Sequence, residues 1–141
     1  MIEFFFEDCL EIDFPRTPFI KKITQLSEKE GFNLGFINII FCSDGFLLEM
    51  NKEHLDHDYF TDIITFNYNS ESTLSGDLFI SIDRVIENAV IEKTVFFREL
   101  ERVTFHGVLH LCGFNDKTPS EIKLMRFKED FYLEMDVSRE T

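Results

Sequence analysis

The run from His106 to Asp116 places the tightest constraint on how this chain folds. Two histidines lie four residues apart, at His106 and His110, and Gly113 and Asp116 follow them. Side chains four apart on a helix project from the same face, with Cβ atoms about 5–6 Å apart. Gly113 is suited to a left-handed C-cap, which would reverse the chain and bring Asp116 back toward the two imidazoles. The sequence therefore predicts a helix with His106, His110 and Asp116 gathered at its end.

These three side chains form a suitable ligand set for one metal ion, and we predict zinc. Imidazole nitrogen and carboxylate oxygen both bind zinc at about 2.0–2.2 Å. Three protein ligands leave a position open for water, which is typical of catalytic rather than structural sites, and the ion lowers the pKa of that water to about 7. The alternative is a pair of partly buried histidines that hydrogen-bond to each other without a metal.

The spacing His-x-x-x-His-x-x-Gly-x-x-Asp is also that of metzincin proteases. In those enzymes a glutamate follows the first histidine and serves as the general base. The corresponding residue here is Gly107, which can neither accept nor donate a proton. A peptidase is therefore disfavoured, although a peptidase-like hydrolase with its base supplied from elsewhere stays open as an alternative.

Length and composition indicate one compact domain that spans residues 1–141. Hydrophobic residues make up 44% of the chain, including 18 Phe, which is ample material for a core. No apolar run is long enough to cross a bilayer, and the N-terminus lacks the basic start and cleavage site of a signal peptide. We therefore expect a soluble, cytoplasmic protein without a membrane partner.

Acidic residues outnumber basic ones by 27 to 14, which gives a net charge of -13. A chain this acidic repels polyanions at long range, so overall charge does not steer it to nucleic acid. A role on RNA would need a local basic groove, a metal, or a partner that delivers the substrate.

Local patterns predict an α+β fold in which strands and helices are mixed along the chain. Strands are expected over residues 2–6, 34–42, 61–68 and 76–82, with a polar turn at 69–75. A first helix is expected from an N-cap at Thr17 to a stop near Gly31, and a second from Ser43-Asp44 to about Leu55. A helical stretch is expected from Asp83 through Leu111, with a pause near Lys93-Thr94. The last helix is expected from the capping box Thr118–Glu121 to about Leu133.

Taken together, these motifs resemble the YbeY-type endoribonucleases, zinc-dependent factors of ribosomal RNA maturation. The family signature His-Gly-x-Leu-His-Leu-x-Gly-Tyr-Asp-His corresponds to residues 106–116, with Asp116 in place of the third His. The segment Pro-Thr-Asp-Val-Leu-Ser-Phe corresponds to residues 60–66, Gly-Asp with an apolar strand to residues 76–80, and an upstream Leu-Asn element to Met50-Asn51. The resemblance runs in order from about residue 34 to 133.

The resemblance implies a metal-dependent hydrolase that cuts single-stranded RNA, matures the 3′ end of 16S ribosomal RNA and takes part in ribosome quality control. It implies ribosomal RNA and a ribosomal subunit or ribosomal proteins as partners, with no DNA expected. It also implies a mostly central mixed β-sheet packed with helices, and a metal site at the end of a helix. Because Asp116 is a harder donor than histidine, another divalent metal could replace zinc.

The resemblance also suggests roles for residues outside the metal set. Asp62 and Asp77 are the candidate catalytic carboxylates, although a Thr-Asp pair before a strand can be a simple turn. The family's Asn-x-x-Tyr-Arg element reads Asn51 to Leu55 here, so its arginine is absent. Lys117 and His54 are the candidate substrate-binding cations in its place. This departure leaves a second alternative, a metal-binding ribosome-assembly factor with weak or no catalysis.

Overall fold

We analysed the fold in a computed structural model, which describes residues 1–56 and 60–136. The described residues form four strands and five helices. In chain order these are β1 (Ile2–Glu7), α1 (Arg16–Lys29), β2 (Asn33–Cys42), α2 (Asp44–Leu55), β3 (Ile63–Asn67), β4 (Thr73–Ser81), α3 (Ile82–Ile91), α4 (Phe96–Leu111) and α5 (Pro119–Glu134). No helix of these ranges is long and apolar enough to cross a membrane.

The four strands form one mixed sheet in the order β1-β2-β4-β3. Strand β2 runs parallel to both β1 and β4, whereas β3 is antiparallel to β4. Helix α1 makes the crossover between the parallel strands β1 and β2, as parallel pairing requires. The predicted single-domain α+β fold with a mixed sheet is confirmed.

Helices cover both faces of this sheet, and each face has its own apolar cluster. The larger cluster joins α1, α4 and α5 to one face through buried side chains that include Phe19, Leu78, Phe105, Val108 and Tyr132. The smaller cluster joins α2 to the opposite face through Cys42, Leu47 and Ile64. Because successive residues of a strand point to opposite faces, the sequence position of each strand residue decides which cluster it joins.

Two predicted boundaries are wrong. Helix α1 begins at Arg16, so Thr17 lies inside it, and Pro15 occupies the N-cap without a side-chain hydrogen bond. Strand β4 begins at Thr73 rather than Gly76, since Thr73 and Leu74 pair with the start of β2 across a bulge. Pairing with a distant strand overrode the polar, turn-like composition of residues 73–75.

The end of helix α4 has the geometry that its sequence predicts. Gly113 has φ +103, and its N–H donates to the His110 carbonyl at 3.0 Å. The Phe114 N–H donates to the Leu109 carbonyl at 3.1 Å, which completes a Schellman motif. Asn69 Nδ2 donates to the Leu111 carbonyl at 2.8 Å and satisfies another free carbonyl of the last turn.

Helix α4 approaches the sheet closely because a glycine of the helix faces the sheet and a glycine of the sheet faces the helix. A Cβ built on Gly107 would lie 2.5 Å from Ile63 Cδ1 on β3. A Cβ on Gly76 of β4 would lie 2.6 Å from the Phe66 carbonyl oxygen and 2.9 Å from both terminal methyl groups of Leu111. The absence of a side chain at Gly76 therefore sets how near the end of α4 can come to β4.

We expect Gly76→Ala to lower the free energy of unfolding by about 1–3 kcal/mol, because the new methyl group would clash with a backbone oxygen that cannot move cheaply. Chemical denaturation followed by circular dichroism measures the change. Gly45→Ala is the matched control, since a Cβ at Gly45 meets nothing within 4 Å and alanine is the better helix former. A Gly76→Ala protein as stable as the Gly45→Ala protein would contradict this account.

Candidate metal centre

Three potential ligand atoms converge at the end of α4. His106 Nε2 lies 3.0 Å from His110 Nε2 and 3.1 Å from Asp116 Oδ2, and His110 Nε2 lies 3.3 Å from the same oxygen. The three side chains are 24%, 26% and 38% exposed, so the group opens to the surface. Among the described residues, this is the group of three His, Cys or acidic side chains that could hold an ion.

The spacing of these atoms fits a tetrahedral ion. Metal–ligand distances of about 2.0–2.1 Å at tetrahedral angles place neighbouring ligand atoms about 3.3 Å apart. The three observed distances lie at or slightly below that value. Two nitrogens and one oxygen are donors that zinc accepts, and their openness on one side leaves room for a further ligand.

The outer nitrogen of each imidazole is bound to an acceptor. His106 Nδ1 lies 2.7 Å from Glu129 Oε2, and His110 Nδ1 lies 2.9 Å from the Phe114 carbonyl oxygen. A carbonyl only accepts, so His110 carries its proton on Nδ1, and an ionised Glu129 imposes the same tautomer on His106. Both Nε2 lone pairs then face Asp116 Oδ2 with no donor between them. Such a group of acceptors is suited to bind a cation at its centre.

The surroundings of His106 favour positive charge. Burial alone would lower the pKa of His106, but the hydrogen bond and negative charge of Glu129, together with the charges of Asp116 and Asp62, raise it above its usual value. Glu129 is itself buried, with a 6% exposed side chain, and Arg102 Nη1 binds its Oε1 at 3.1 Å. Arg102 thus holds the carboxylate that orients His106.

Asp62 lies beside the metal ligands, at the entry to β3. Its Oδ2 accepts a hydrogen bond from Asn88 Nδ2 at 3.2 Å. Burial raises the pKa of the Asp62 carboxyl, although the His106 charge and the hydrogen bonds that the carboxyl accepts oppose that rise. Asp62 is therefore a partly buried carboxyl group whose pKa exceeds that of a surface aspartate.

Two openings meet at the metal ligands, and Asp62, His106 and Asp116 border both. We call them the outer groove and the inner cavity. The outer groove, of about 330 Å³, runs past Asn51, Leu55, Thr61 and the first residues of β3. The inner cavity, of about 420 Å³, lies between α3, α4 and α5. The candidate metal ligands therefore lie where the two openings meet.

The structure does not bring the other predicted site residues to these ligands. Gly76 faces α4, so Asp77 points to the opposite face of the sheet, where Asn38 Nδ2 donates to its Oδ1 at 3.0 Å. The His54 ring lies over the edge of Phe66, with centroids 6.4 Å apart, on the α2 side. Lys117 is exposed next to Asp116, and its backbone N–H donates to Glu121 Oε1 at 3.2 Å.

Sequence reasoning missed three contributors to the site: Glu129, Asn88 and the Phe114 carbonyl. Glu129 contacts His106 across 23 residues of chain, and Asn88 contacts Asp62 across 26. A metal-ligating histidine is expected to have an acceptor behind it, but no local pattern selects Glu129 among the acids of α5. The Phe114 carbonyl was implicit in the predicted helix end, because the reversal at Gly113 directs it back toward His110.

The fold and the site define the class of protein: an α+β protein with a His-His-Asp centre at the end of a helix. Comparison with known proteins then identifies the family, because the sequence profile of Endoribonuclease YbeY matches residues 10–135. The chain belongs to the YbeY endoribonuclease family.

Individual relatives align with this chain over almost its whole length. Proteins named Endoribonuclease YbeY from Cytophaga hutchinsonii and Flavobacterium psychrophilum are 45% and 44% identical over 135 residues, which is 94% and 96% of each chain. The solution structure of TM1509 from Thermotoga maritima matches with a TM-score of 0.66 and 27% identity, and covers 95% of this chain and 87% of that one. The resemblance predicted from the motifs is confirmed.

We expect Glu129→Gln to weaken zinc binding by about 10–100-fold, because the variant keeps the shape but loses the charge that orients His106 and raises its basicity. Competition against a chromophoric zinc chelator measures the affinity. Asp130→Asn is the control, because Asp130 binds Arg102 Nη2 at 2.9 Å without touching an imidazole. Equal affinities for the two variants would exclude this role for Glu129.

Proposed function

We propose that this protein is a zinc-dependent endoribonuclease that cuts single-stranded ribosomal RNA, in maturation of the 16S 3′ end and in ribosome quality control. The observation that carries the proposal is the convergence of His106 Nε2, His110 Nε2 and Asp116 Oδ2 within 3.3 Å of one another. Relatives that share more than two fifths of their residues with it are named as endoribonucleases. The substrate would meet the protein in the cytoplasm, as RNA or as part of a ribosomal subunit.

The residues present fit a zinc-type ion held by His106, His110 and Asp116. When bound, such an ion supplies Lewis acidity, which polarises a phosphoryl oxygen and lowers the pKa of water. Glu129 and the Phe114 carbonyl keep both Nδ1 atoms protonated, so that each Nε2 presents its lone pair. These contacts prepare the ligand set before substrate arrives.

Asp62 is the candidate for moving a proton during hydrolysis. Its carboxyl is partly buried, borders both openings of the site and has a raised pKa whose main cause is burial. A general base works best when its pKa approaches the working pH, and burial moves Asp62 in that direction. Asn88 fixes one carboxylate oxygen and leaves the other to accept a proton from the attacking water.

The outer groove is the proposed path for the RNA backbone. Its walls carry Asn51, Thr61 and Thr65, which are neutral and polar, and Leu55 takes the place of a cation. Asp62 and Asp116 are the acidic side chains of this groove, and both lie at its end beside His106. Lys117 remains a proposed phosphate contact because it is exposed next to Asp116, whereas His54 would need to act from the α2 side of the sheet.

Two of the three basic residues of α5 are paired with carboxylates. Lys128 Nζ lies 2.8 Å from Glu30 Oε2, and Arg126 pairs with Glu92 at 3.2 Å. Short-range contacts at the metal and delivery by a ribosomal partner therefore replace long-range attraction in this proposal.

One alternative is a protein that acts on the ribosome with weak or no catalysis. Leu55, 40% exposed at the groove, leaves developing phosphate charge without the guanidinium that the family motif would supply. The protein would then act as a metal-binding assembly factor. Co-sedimentation with ribosomal subunits without RNA cleavage would favour this alternative. A peptidase is less suited, because Gly107 faces β3 so closely that a glutamate would not fit there.

We expect zinc-loaded wild-type protein to cut a single-stranded 16S 3′-end fragment at low salt, and His110→Ala to cut nothing because it loses an ion ligand. Gel analysis of labelled RNA and metal content of the purified proteins provide the two measurements. Cleavage by His110→Ala, or its retention of stoichiometric, chelator-resistant zinc, would overturn the ligand assignment.

We expect Asp62→Asn to retain zinc but to lower kcat by about 10²–10⁴-fold, the usual contribution of a general base. Single-turnover cleavage at saturating protein isolates this effect from binding. Asp13→Asn, an exposed change in the loop before α1, serves as the control. If Asp62→Asn cuts as fast as this control, the base is another residue, and the same assay on Asp77→Asn tests the remaining predicted carboxylate.

A further inference from the structure

The inner cavity contains a buried carboxylate oxygen without a hydrogen-bond partner. Glu99 lines this cavity from α4 and is 4% exposed, yet its Oε1 has no partner among the described residues. The Arg102 Nε atom lies 3.9 Å away, which is beyond hydrogen-bond distance. Buried polar atoms of folded proteins are nearly always paired, so an unpaired one beside a cavity indicates a missing donor.

The other carboxylates of the cavity already have assigned partners. Arg102 binds Glu129, Arg126 binds Glu92, and Asn88 binds Asp62, while Asp116 belongs to the candidate metal ligands. Glu99 is therefore the carboxylate of this cavity that remains available to a ligand. Its oxygens can only accept when ionised, so the ligand must present N–H or O–H groups.

The charge of the cavity excludes a phosphate as that ligand. Five carboxylates line the space, against the two guanidinium groups of Arg102 and Arg126. Arg102 is fully engaged, with a side chain only 16% exposed and bonds to Glu129 and Asp130. An anion entering here would meet net negative charge, whereas an uncharged group rich in donors would not.

The walls between these polar groups are apolar. Ile91 from α3, Val103 from α4, and Ile122 and Met125 from α5 line the same space. The volume of about 420 Å³ lies within the range of about 300–1,000 Å³ that is typical of small-molecule pockets. A flat ring with donor groups on one edge could pack against the apolar walls and donate hydrogen bonds to Glu99. Unstacked bases of single-stranded RNA are recognised by stacking and by hydrogen bonds to their edges.

We propose that the inner cavity is a nucleobase pocket that receives a base next to the scissile phosphate and selects guanine through Glu99. Guanine presents two adjacent donors, N1–H and the N2 amino group, which match the two oxygens of one carboxylate. Adenine and cytosine each offer a single amino group on that edge. This inference rests on the proposed ribonuclease function for its substrate class, and it adds a specificity-determining residue to that function.

The position of the cavity agrees with such a role. His106 and Asp116 border both the inner cavity and the outer groove, so a phosphate at the candidate ion lies between the two. The backbone would follow the outer groove while one neighbouring base enters the inner cavity. Arg126, with a side chain 49% exposed, lines the same cavity, where it is paired with Glu92.

The test measures how tightly three mononucleotides bind to the zinc-loaded, full-length protein by titration calorimetry. Guanosine, inosine and adenosine 5′-monophosphates share ribose and phosphate, so differences among them report the base alone. We expect the guanosine nucleotide to bind about 5- to 150-fold more tightly than the adenosine nucleotide, which is the range of one bidentate base contact. The inosine nucleotide, which lacks the N2 amino group, should lie between them.

Glu99→Gln should remove the preference, because an amide replaces one acceptor by a donor. Glu101→Gln is the matched control, since Glu101 is a buried glutamate of the same helix that binds Lys22 at 3.3 Å, and this variant should keep the preference. Equal binding of the three nucleotides to the wild type, or an unchanged preference in Glu99→Gln, would overturn the proposal. The wild-type comparison requires no variant and stands even if Glu99→Gln does not fold.

Failure of this inference and failure of the proposed function give different results. A guanine preference in a protein that cuts no RNA would support the pocket and overturn the nuclease. Cleavage of RNA by a protein that binds all three nucleotides equally would overturn the pocket and leave the nuclease intact.

Discussion

The contact between Glu129 and His106 is the interaction on which the rest of the site depends. It joins α5 to α4 at 2.7 Å, orients the imidazole of a candidate metal ligand and brings a negative charge close to the candidate ion site. A carboxylate with a 6% exposed side chain is costly to bury unless it is paired, and Arg102 supplies that pairing from the same helix as His106. The packing of α5 on α4 and the orientation of the imidazole are therefore set by one ionic network. Breaking it would leave a buried charge without compensation.

A second constraint is the close packing of α4 on the sheet, which positions the helix for the candidate metal site. Gly76 and Gly107 let α4 lie against β3 and β4 at a distance that any side chain would increase. His106 and His110 then project away from the sheet, toward the space shared with α5 and with the segment that holds Asp62. Gly107 occupies the position at which metzincin proteases carry their base, and here that position faces the sheet. In the proposed function the proton acceptor comes from a neighbouring element, and Asp62 at the entry to β3 is the candidate.

The sequence predicted the elements whose signals are local. The helix stop at Gly113, the capping box at Thr118 and the N-cap at Ser43 each depend on residues within four positions, and the structure shows all three. The convergence of His106, His110 and Asp116 followed from the same helix end. Local patterns failed where a distant partner decides, as at Thr73, where pairing with β2 extends the strand. They also left Asp77 as a candidate beside Asp62, because only the pleat of the paired strands shows that Asp77 faces the opposite side of the sheet from α4.

The net charge of the protein limits the ways in which it could bind RNA. A protein with a net charge of -13 gains nothing from long-range attraction to RNA, and the cations near the site are largely committed to carboxylates of their own. In the proposed function, affinity for RNA comes from groups that act at contact distance: the candidate ion, the polar side chains of the outer groove and donors or acceptors that meet base edges. Base contacts are less sensitive to salt than phosphate contacts, since no counterions are released when an uncharged edge binds. If the proposed base pocket exists, the loss of the guanidinium at Leu55 falls on phosphate binding, and selection of the base does not depend on it.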